Sequence, residues 1–257
     1  MKISTWNVNS LRVRLEHVCD WLQNNQPDVL VLQEIKLTND LFPHDEIAAC
    51  GYRAVANGQK TYNGVAILSR IEAADPVFEL PDFEDEQRRV LAATVGDYRV
   101  IDLYVPNGQT VDSDKYIYKL NWLAALHDFL QAQLSMFPNV VVLGDFNIAP
   151  DDRDVHDPES WQGNVLVSDA EREALTGILD LGMVDLFRQF EQADKIFSWW
   201  DYRAAAFRRN RGLRIDLILA NKSLAENCLS CAVDIEPRTL ERPSDHAPVS
   251  AIFSSNS

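Results

Sequence analysis

The stretch Asn139-Val-Val-Val-Leu-Gly-Asp-Phe-Asn147 indicates where the centre of the fold lies. Its apolar part, residues 140–143, is rich in β-branched side chains, as in a strand that is buried on both faces. Gly144 ends this run, and a carboxylate and a carboxamide follow at Asp145 and Asn147. Gly, Asp and Asn are common in turns, so a plain turn is the alternative interpretation. Carboxyl ends of strands are where open α/β sheets place ligands, which makes this pair a candidate site.

The composition limits the classes of protein to which the chain can belong. Hydrophobic residues make up 46% of the 257 residues and charged residues 25%, which is ordinary for a globular protein. No apolar run approaches the roughly 18 residues that cross a bilayer. A strand predicted from Lys2 onward leaves no room for a targeting peptide. The four cysteines are few for this length and fit a reducing cytosol, and no composition break divides the chain. We expect a cytoplasmic protein that contacts no membrane and forms a single domain over residues 1–257.

The distribution of charge matters more than its sum. A net charge of −15 argues against a general polyanion-binding protein, because the mean field would repel nucleic acid. Acidic residues are concentrated at residues 82–86 and 151–159, which we expect to be solvated loops. Residues 203–214, by contrast, contain five arginines and no acid. An anionic substrate would be met by this arginine segment.

Several other predicted strands carry polar groups at their ends. These groups are Asn7 after the first strand, Glu34 after the second, Asp216 within a later strand, and Asp245 and His246 before the last strand. Hard cations such as Mg²⁺ take oxygen ligands and keep several waters, so one or two carboxylates and an amide oxygen suffice. A histidine beside a carboxylate suits an imidazole that an acid holds on one nitrogen. Each residue alone could cap a turn or lie on the surface, but their joint placement favours a site.

Hydrophobic periodicity predicts the elements around these strands. Helices are predicted over residues 11–22, 113–134 and 169–181, and an antiparallel pair over residues 90–95 and 99–105. The inner face of the longest helix is predicted from the spacing of Leu120, Leu123, Leu126, Leu130 and Leu134. No element is predicted between residues 151 and 167, which are polar and irregular.

Seven motifs follow one another along the chain: Trp6-Asn-Val-Asn-Ser-Leu-Arg12, Leu32-Gln-Glu-Ile-Lys36, Tyr62-Asn-Gly-Val-Ala66, Tyr104-Val-Pro-Asn-Gly108, Gly144-Asp-Phe-Asn147, Gly212-Leu-Arg-Ile-Asp216 and Ser244-Asp-His-Ala-Pro248. Their order is typical of the exonuclease III family, which belongs to the endonuclease/exonuclease/phosphatase superfamily. The chain resembles this family from residue 2 to about residue 253. The resemblance implies an α/β fold, a four-layer α/β sandwich in which two facing mixed β-sheets are flanked by helices.

The resemblance also implies roles for individual residues. A divalent metal, Mg²⁺ or Mn²⁺, is expected on ligands drawn from Asn7, Glu34, Asp145, Asn147, Asp245 and His246. The expected catalytic residues are Tyr104, Asp145, Asn147, Asp216 and His246. Among them Asp145 resembles the residue that handles the nucleophilic water or protonates the leaving group, and Asn147 orients it. Asp216 and His246 look like the acid–histidine pair whose imidazole contacts the scissile phosphate, and Tyr104 resembles the phosphate-contacting tyrosine.

The expected substrate is duplex DNA with abasic sites or 3′ ends, and the expected enzyme is a monomeric, metal-dependent phosphodiesterase of base-excision repair. Such an enzyme cleaves 5′ of abasic sites or removes nucleotides and blocking groups from 3′ ends. The residues expected to contact DNA are Lys36, Tyr62, Asn107, Trp199, Trp200, Arg208, Arg209 and Arg211. Aromatic rings can stack on a displaced nucleotide, and arginines can meet backbone phosphates. For one of the two tryptophans, core packing is the alternative interpretation.

Two other function classes remain open at this point. A phosphatase acting on inositol phosphates, or a sphingomyelin phosphodiesterase, would use the same metal and histidine chemistry. The segment Trp199-Trp-Asp-Tyr202 and the arginines after it favour DNA over these small or lipid phosphoesters. A catalytically silent nucleic-acid-binding regulator would have lost metal or histidine positions, which this chain keeps. The sequence does not rank abasic-site incision, 3′→5′ exonuclease, 3′-phosphatase and RNase H-like activities.

Overall fold

Two β-sheets of six strands each form the centre of the protein, in a computed structural model that describes residues 1–254. The first sheet has the spatial order β11-β12-β1-β2-β4-β3 and contains β1 (Lys2–Asn7), β2 (Val29–Gln33), β3 (Arg53–Asn57), β4 (Val65–Ser69), β11 (Cys228–Val233) and β12 (Val249–Phe253). The second sheet has the order β5-β6-β7-β8-β10-β9 and contains β5 (Ala74–Val77), β6 (Val90–Val95), β7 (Tyr98–Tyr104), β8 (Val140–Asp145), β9 (Met183–Asp185) and β10 (Asp216–Asn221).

Helices cover the outer face of each sheet. The helices are α1 (Leu11–Asn25), α2 (His44–Ala49), α3 (Asp114–Met136), α4 (Pro158–Trp161), α5 (Asp169–Asp180) and α6 (Lys222–Ala225), with short 3₁₀ turns at Asn39–Leu41, Asp152–Asp154, Arg203–Ala205 and Glu236–Thr239. Side chains of α1 and α2 pack on the first sheet, and those of α3 and α5 pack on the second. The four-layer sandwich implied by the resemblance to the exonuclease III family is confirmed. Within the described residues, no helix has the length and apolar character needed to cross a bilayer.

The β8 strand shows why the central strands are continuous apolar runs. Val141 and Leu143 enter the core between the two sheets, whereas Val140 and Val142 pack beneath the outer helices of the second sheet. Successive side chains of a strand point to opposite faces, so a strand that is covered on both sides needs apolar residues at every position. The same pattern in β2 places alternate residues in the inter-sheet core and under α1.

The pairing of the strands brings the polar ends predicted above to one edge of the sandwich. β1 is parallel to β2, and β7 is parallel to β8. β10 runs antiparallel to β8, so Asp216 at its start lies opposite Asp145 at the end of β8. β12 is likewise antiparallel to β1, which places the residues before β12 beside the end of β1. The candidate residues therefore meet where the two sheets end together.

Two strands, and two short helical segments within residues 151–167, were not predicted. β5 and β9 are short strands at the edges of the second sheet, where few apolar positions mark them. Residues 151–167, predicted to be irregular, contain the 3₁₀ turn Asp152–Asp154 and the helix α4. Aspartate side chains begin both segments, because Asp151 and Asp157 accept hydrogen bonds from backbone N–H groups of the first turn, as N-cap residues do.

The buried face of α3 includes a charged residue that the leucine spacing did not indicate. Lys119 is fully buried on this face together with Leu123, Leu126 and Leu130, while Leu120 packs only partly. The Lys119 ammonium forms an ion pair with Glu171, whose side chain is also fully enclosed. A buried charge is tolerated when it is paired and hydrogen-bonded, and this pair joins α3 to α5.

The acidic segment at residues 151–159 and the arginine segment differ from the predictions made for them. Asp154 is buried and accepts hydrogen bonds from Arg214 Nε (2.6 Å) and Nη2 (3.0 Å). Arg214 also donates to Asp185 at 2.7 Å, and only 1% of its surface is exposed. Asp154 therefore belongs to a buried ion-pair network and not to a solvated loop. Arg214 is neutralised inside this network, so it is not available to an anionic substrate.

Gly144 supplies a test of how closely the second sheet is packed at the end of β8. Its φ is +146°, and a Cβ built on it would lie 1.9 Å from the carbonyl oxygen of Leu103 on β7. We expect Gly144→Ala to lower the free energy of unfolding by about 3 kcal/mol or more, because backbone atoms must move apart. Urea unfolding followed by circular dichroism measures this loss.

Gly182→Ala is the matched control for Gly144→Ala. Gly182 also has a positive φ, of +93°, but no atom lies within 4 Å of its Cβ position. Only backbone strain of about 1 kcal/mol is expected there. Equal losses of stability in the two variants would show that the close approach of β7 and β8 is not limiting.

Candidate active site

The Asn7 side chain joins the ends of the two sheets. Its Nδ2 donates to Glu34 Oε1 and to Asp145 Oδ2, in both cases at 2.9 Å. Asn7 ends β1 and Glu34 follows β2, whereas Asp145 ends β8 of the facing sheet. One carboxamide thus holds two carboxylates from different sheets close together. Both are residues that the sequence predicted as metal ligands.

Three neighbouring strands of the second sheet contribute Tyr104, Asp145 and Asp216. Tyr104 is paired with Asp145 across the parallel strands β7 and β8, and Asp145 with Asp216 across the antiparallel strands β8 and β10. Burial, followed by the nearby charge of Glu34, raises the pKa of Tyr104 well above its usual range. Tyr104 is therefore a neutral hydroxyl that can donate a hydrogen bond into the site.

His246 is held between two carboxylates. Its Nδ1 lies 2.9 Å from Asp216 Oδ2, and its Nε2 lies 3.7 Å from Asp145 Oδ2. Trp6 Nε1 donates to the main-chain oxygen of His246 at 3.2 Å, which fixes the loop that carries it. The hydrogen bond to Asp216 orients the imidazole so that Nε2 faces the site.

The carboxylates and the imidazole change one another's protonation. Burial by itself lowers the pKa of His246, but the charges of Asp216 and Asp145 outweigh it and raise that pKa to about 10. Burial raises the pKa of Asp145 to about 7; His246 opposes the rise, and Asp216 and Glu34 add to it. His246 is accordingly a cation at neutral pH. Asp145 is poised to exchange a proton near pH 7, as an acid–base group must be.

Three residues of the site, Glu34, Asp145 and His246, each carry a potential metal-ligand atom, and these atoms lie within 4.8 Å of one another. The two carboxylates can bind a metal ion directly, whereas the cationic imidazole of His246 must first lose its Nε2 proton. Glu34 has a left-handed backbone (φ 52°), a conformation that is rare outside glycine and is often found at functional sites. Its second oxygen, Oε2, is 2.9 Å from the Lys36 ammonium. Glu34 is thus placed between an amide, a cation and the carboxylate of Asp145.

Asn147 and Asn107 form a second layer beside Asp145. The Asn147 backbone N–H donates to Asp145 Oδ1 at 2.9 Å, and Asn107 Nδ2 donates to Asn147 Oδ1 at 3.1 Å. The Lys119 ammonium donates to the main-chain oxygens of Asn147 (2.7 Å) and Asn107 (3.2 Å). Lys119 therefore clamps the two loops that carry these amides, with Glu171 as its counter-ion.

Asp245 is not part of the metal-capable cluster. Its Oδ1 accepts a hydrogen bond from Asn9 Nδ2 and its Oδ2 accepts one from Trp199 Nε1, both at 3.0 Å. Two neutral donors therefore occupy the carboxylate that was predicted as a metal ligand. Asp245 precedes His246 in the sequence, but in the structure its carboxylate faces Asn9 and Trp199.

The residues predicted to contact DNA differ widely in exposure. Tyr62 is 68% exposed, and Asn107, Arg208, Arg209 and Arg211 are also exposed. In the described part of the chain none of these three arginines forms an ion pair. They are free to meet an anion.

The two tryptophans of the aromatic run have different environments. Trp199 is partly exposed, whereas Trp200 is 2% exposed and packs edge-on against Phe207. Trp200 Nε1 donates to Asn210 Oδ1 at 3.1 Å. The structure corrects the prediction for Trp200, which is a core residue because its ring and its N–H are both satisfied inside the protein. Trp199 keeps the surface that a nucleotide could contact.

Three residues of the site were missed in the sequence. Asn9 lies two positions after Asn7, but no chemistry was assigned to it. Lys119 could have been found as a lysine at helical spacing on an apolar face, between Tyr116 and Leu123. Ser198 Oγ accepts the backbone N–H groups of residues 215 and 216, both at 3.0 Å. A buried serine has no sequence signal, because its role depends on the backbone opposite it.

Comparisons with known proteins agree with this geometry. The sequence model of the endonuclease/exonuclease/phosphatase family matches residues 4–246. Exodeoxyribonuclease III of Haemophilus influenzae is 35% identical over 266 aligned residues, which cover 98% of this chain and 100% of that protein. The 3′ phosphatase NExo from Neisseria, solved with a product DNA hairpin, is 49% identical with a TM-score of 0.98 over 99% of this chain and 100% of that one. An AP endonuclease from Archaeoglobus fulgidus is 41% identical with a TM-score of 0.95, over the same shares of the two chains.

The raised pKa of His246 predicts how stability depends on pH in the absence of metal. The pKa rises on folding from 6.5 to about 10, so the folded state binds more protons than the unfolded state between these values. The stabilisation is complete below pH 6.5 and is lost as the pH rises towards 10. Urea unfolding in EDTA should therefore show a free energy of unfolding that falls across this range.

Asp216→Asn isolates this effect from other groups that titrate in the same range. Removing the carboxylate that contacts Nδ1 should leave a shallower slope of stability against pH than in the wild type. A wild-type stability that stays constant or increases from pH 6.5 to 9.5 would contradict the predicted charge on His246.

Proposed function

Because the chain belongs to the endonuclease/exonuclease/phosphatase family, we propose that it is a divalent-metal-dependent phosphodiesterase of DNA repair. It acts on duplex DNA, cleaving 5′ of abasic sites or removing nucleotides and blocking groups from 3′ ends. The proposed enzyme is a single-domain, cytoplasmic monomer. The observation that carries the proposal is the cluster of buried Asp145 and His246 with partly buried Glu34, in which one carboxylate pairs with a cationic imidazole beside a second carboxylate. This arrangement suits hydrolysis of a phosphodiester.

The chemistry of the donor set fits a hard divalent cation. Glu34 and Asp145 supply carboxylate oxygens, and Asn7 lies between them as a neutral amide. Mutual repulsion between these carboxylates contributes to the raised pKa of Asp145, and a bound cation would relieve it. Oxygen ligands with several retained waters are what Mg²⁺ prefers, and Mn²⁺ takes the same set. When bound, the metal would polarise a phosphoryl oxygen and stabilise charge on the leaving 3′ oxygen.

The protein's own residues divide the remaining work of phosphodiester hydrolysis. Asp145, with a pKa of about 7, can take a proton from the attacking water or return one to the leaving oxygen. The His246 imidazolium, held by Asp216, can donate a hydrogen bond from Nε2 to a phosphate oxygen. The neutral Tyr104 hydroxyl can donate a second one. Fixed donors of this kind stabilise charge that develops on the phosphate in the transition state.

An acid-free cleft beside the site supports DNA as the substrate. The cleft has a volume of about 1150 Å³, and of the described residues that line it three are cationic and none is acidic. The cationic residues are Arg89, Lys115 and Arg203, and the exposed ring of Tyr62 lies among them. Asn107 lines the same cleft and is hydrogen-bonded to Asn147 of the site. A strand of DNA could thus lie along the cleft with one phosphate at the buried cluster.

Incubation with defined DNA substrates tests this function. Duplexes that carry a single abasic site, a 3′-phosphate or a plain 3′ end should be cleaved with Mg²⁺ and remain intact with EDTA. We expect Asp145→Asn to lower kcat by roughly 10²–10⁴-fold, which is the usual contribution of a general acid or base. DNA affinity should be retained, because the variant removes a negative charge that opposes the phosphate. Denaturing gels give the rates, and fluorescence anisotropy gives the affinity.

The matched control for this variant is Asp128→Asn, since Asp128 is an exposed aspartate on α3 that pairs with His127 on the surface, away from the site. It should cleave at the wild-type rate. A parallel loss of rate and affinity in Asp145→Asn would show that Asp145 is structural. Absence of cleavage of all three duplexes by the wild type, together with hydrolysis of a small phosphoester, would transfer the function to another branch of the superfamily.

The salt dependence of DNA binding tests whether the arginine segment grips the backbone. Each neutralised phosphate contributes about −0.9 to the slope of log K against log salt on B-DNA. Replacing Arg208 and Arg209 by Ala should weaken binding and flatten this slope by roughly two contacts. Hydrolysis of a small phosphodiester, which needs only the buried cluster, should be unchanged. The measurement is the Kd of a short duplex from low to moderate salt in the Asp145→Asn background.

Arg153→Ala is a suitable control, because Arg153 is exposed but already paired with Asp151 at 2.6 Å. Its loss should leave both affinity and slope close to the wild-type values. An unchanged slope in the double-arginine variant would remove residues 208 and 209 from the DNA interface.

A further inference from the structure

A continuous chain of polar contacts connects Trp199 to Glu34. Trp199 Nε1 donates to Asp245 Oδ2 at 3.0 Å, and Asn9 Nδ2 donates to Asp245 Oδ1 at 3.0 Å. Lys36 Nζ then donates to Asn9 Oδ1 at 2.5 Å and lies 2.9 Å from Glu34 Oε2. One end of this chain is the partly exposed ring on the proposed DNA surface. The other end is the carboxylate proposed to bind the metal.

Asn9 has the chemistry that the middle of this chain requires. Its amide donates to an anion through Nδ2 and accepts from a cation through Oδ1, which neither a carboxylate nor a hydrocarbon could do. Its φ is +43°, a left-handed value that Asn adopts more readily than most residues. The Asn9 backbone N–H donates to Asn7 Oδ1 at 3.0 Å. Asn9 is therefore fixed directly against a residue that contacts Glu34 and Asp145.

The Trp199 end of the chain is also attached firmly to the catalytic loop. Trp199 forms an isolated β-bridge with His246, and the backbone N–H of Trp200 donates to the main-chain oxygen of Asp245 at 3.0 Å. A shift of the Trp199 ring would thus be transmitted through both backbone and side chain. The aromatic segment and the metal-capable cluster are linked by rigid, well-oriented contacts.

We propose that Asn9 is a positioning residue that couples binding of DNA at Trp199 to binding of the divalent cation at Glu34. This inference rests on the proposed function, since it needs both ligands. The Lys36 ammonium has two alternative partners. When it pairs with Glu34, it competes with a divalent cation for that carboxylate. When DNA is bound, a DNA phosphate can take the place of Glu34 as its partner. DNA therefore raises the affinity for the cation, and the cation raises the affinity for DNA by the same factor.

The coupling is measured as a ratio of dissociation constants. The probe is a short duplex with a tetrahydrofuran abasic analogue and a hydrolysis-resistant phosphorothioate linkage, and its Kd is measured by anisotropy in EDTA and in saturating Mg²⁺. For the wild type we expect Mg²⁺ to lower the Kd by roughly fivefold or more, in the usual range of coupling between sites. Asn9→Gly removes the amide and allows the left-handed backbone. It should bring the ratio of the two constants close to one.

Three further variants separate coupling from a structural effect. Trp199→Phe keeps an aromatic ring but loses the N–H that reaches Asp245, and it should also reduce the ratio. The double variant should reduce the ratio no further than Asn9→Gly does, because both act on one chain of contacts. Gln26→Gly is the matched control, since Gln26 has a similar φ of +47° but lies at the C-terminal cap of α1, fifteen or more residues beyond Asn9. It should keep the wild-type ratio.

Each outcome bears on the proposal. A ratio near one in the wild type, or a wild-type ratio in Asn9→Gly, overturns it. An Asn9→Gly variant that loses affinity equally in EDTA and Mg²⁺ shows a structural role only and also overturns it. Cleavage of an ordinary abasic duplex by the wild type is measured in parallel. If cleavage occurs and the coupling fails, only this inference falls; if cleavage does not occur, the proposed function falls with it.

Discussion

The two hydrogen bonds from the Asn7 carboxamide to Glu34 and Asp145 are the contacts on which the rest of the site depends. They join carboxylates that belong to different sheets, at the place where β1, β2 and β8 end together. Without them the buried carboxylate of Asp145 and the partly buried carboxylate of Glu34 would face each other with no donor between them, which is costly in a medium of low polarity. The sandwich supplies the position of each strand end, and this amide fixes how closely the two ends approach.

Burial of several ionisable groups at this point shapes their chemistry. The site contains three carboxylates and one imidazole within a few ångströms, so the protonation of each group depends on the charge of the others. The pKa of about 7 for Asp145 and the pKa of about 10 for His246 result from this coupling. The local backbone also departs from common conformations, since Glu34 and Asn147 both have positive φ. Such strain persists because the sheets on either side determine the position of the chain.

The conflict between an acidic chain and an anionic substrate is resolved by where the charges lie. Asp154, Asp185 and Glu171 face Arg214 or Lys119 inside the protein, so these acids contribute little to the field outside it. The exposed arginines at residues 208, 209 and 211 carry no such partners among the described residues, and none of the described residues that line the cleft beside the site is acidic. A local cationic surface thus forms on a protein whose net charge is −15.

By itself the sequence determined the class of fold and the identity of most residues at the site. Apolar runs such as residues 140–143 predict strands that are covered on both faces, and polar residues at strand ends predict where a site forms. The resemblance to the exonuclease III family, which the comparisons confirm, added the facing arrangement of the sheets. Only the tertiary structure decided which partner each polar residue has. Trp200 is a core residue, Arg214 is neutralised by Asp154, and Asp245 binds Asn9 and Trp199, because these pairs are separated by ten to more than two hundred residues along the chain. Local sequence patterns report the face on which a side chain lies, whereas its partner is set by the packing of distant segments.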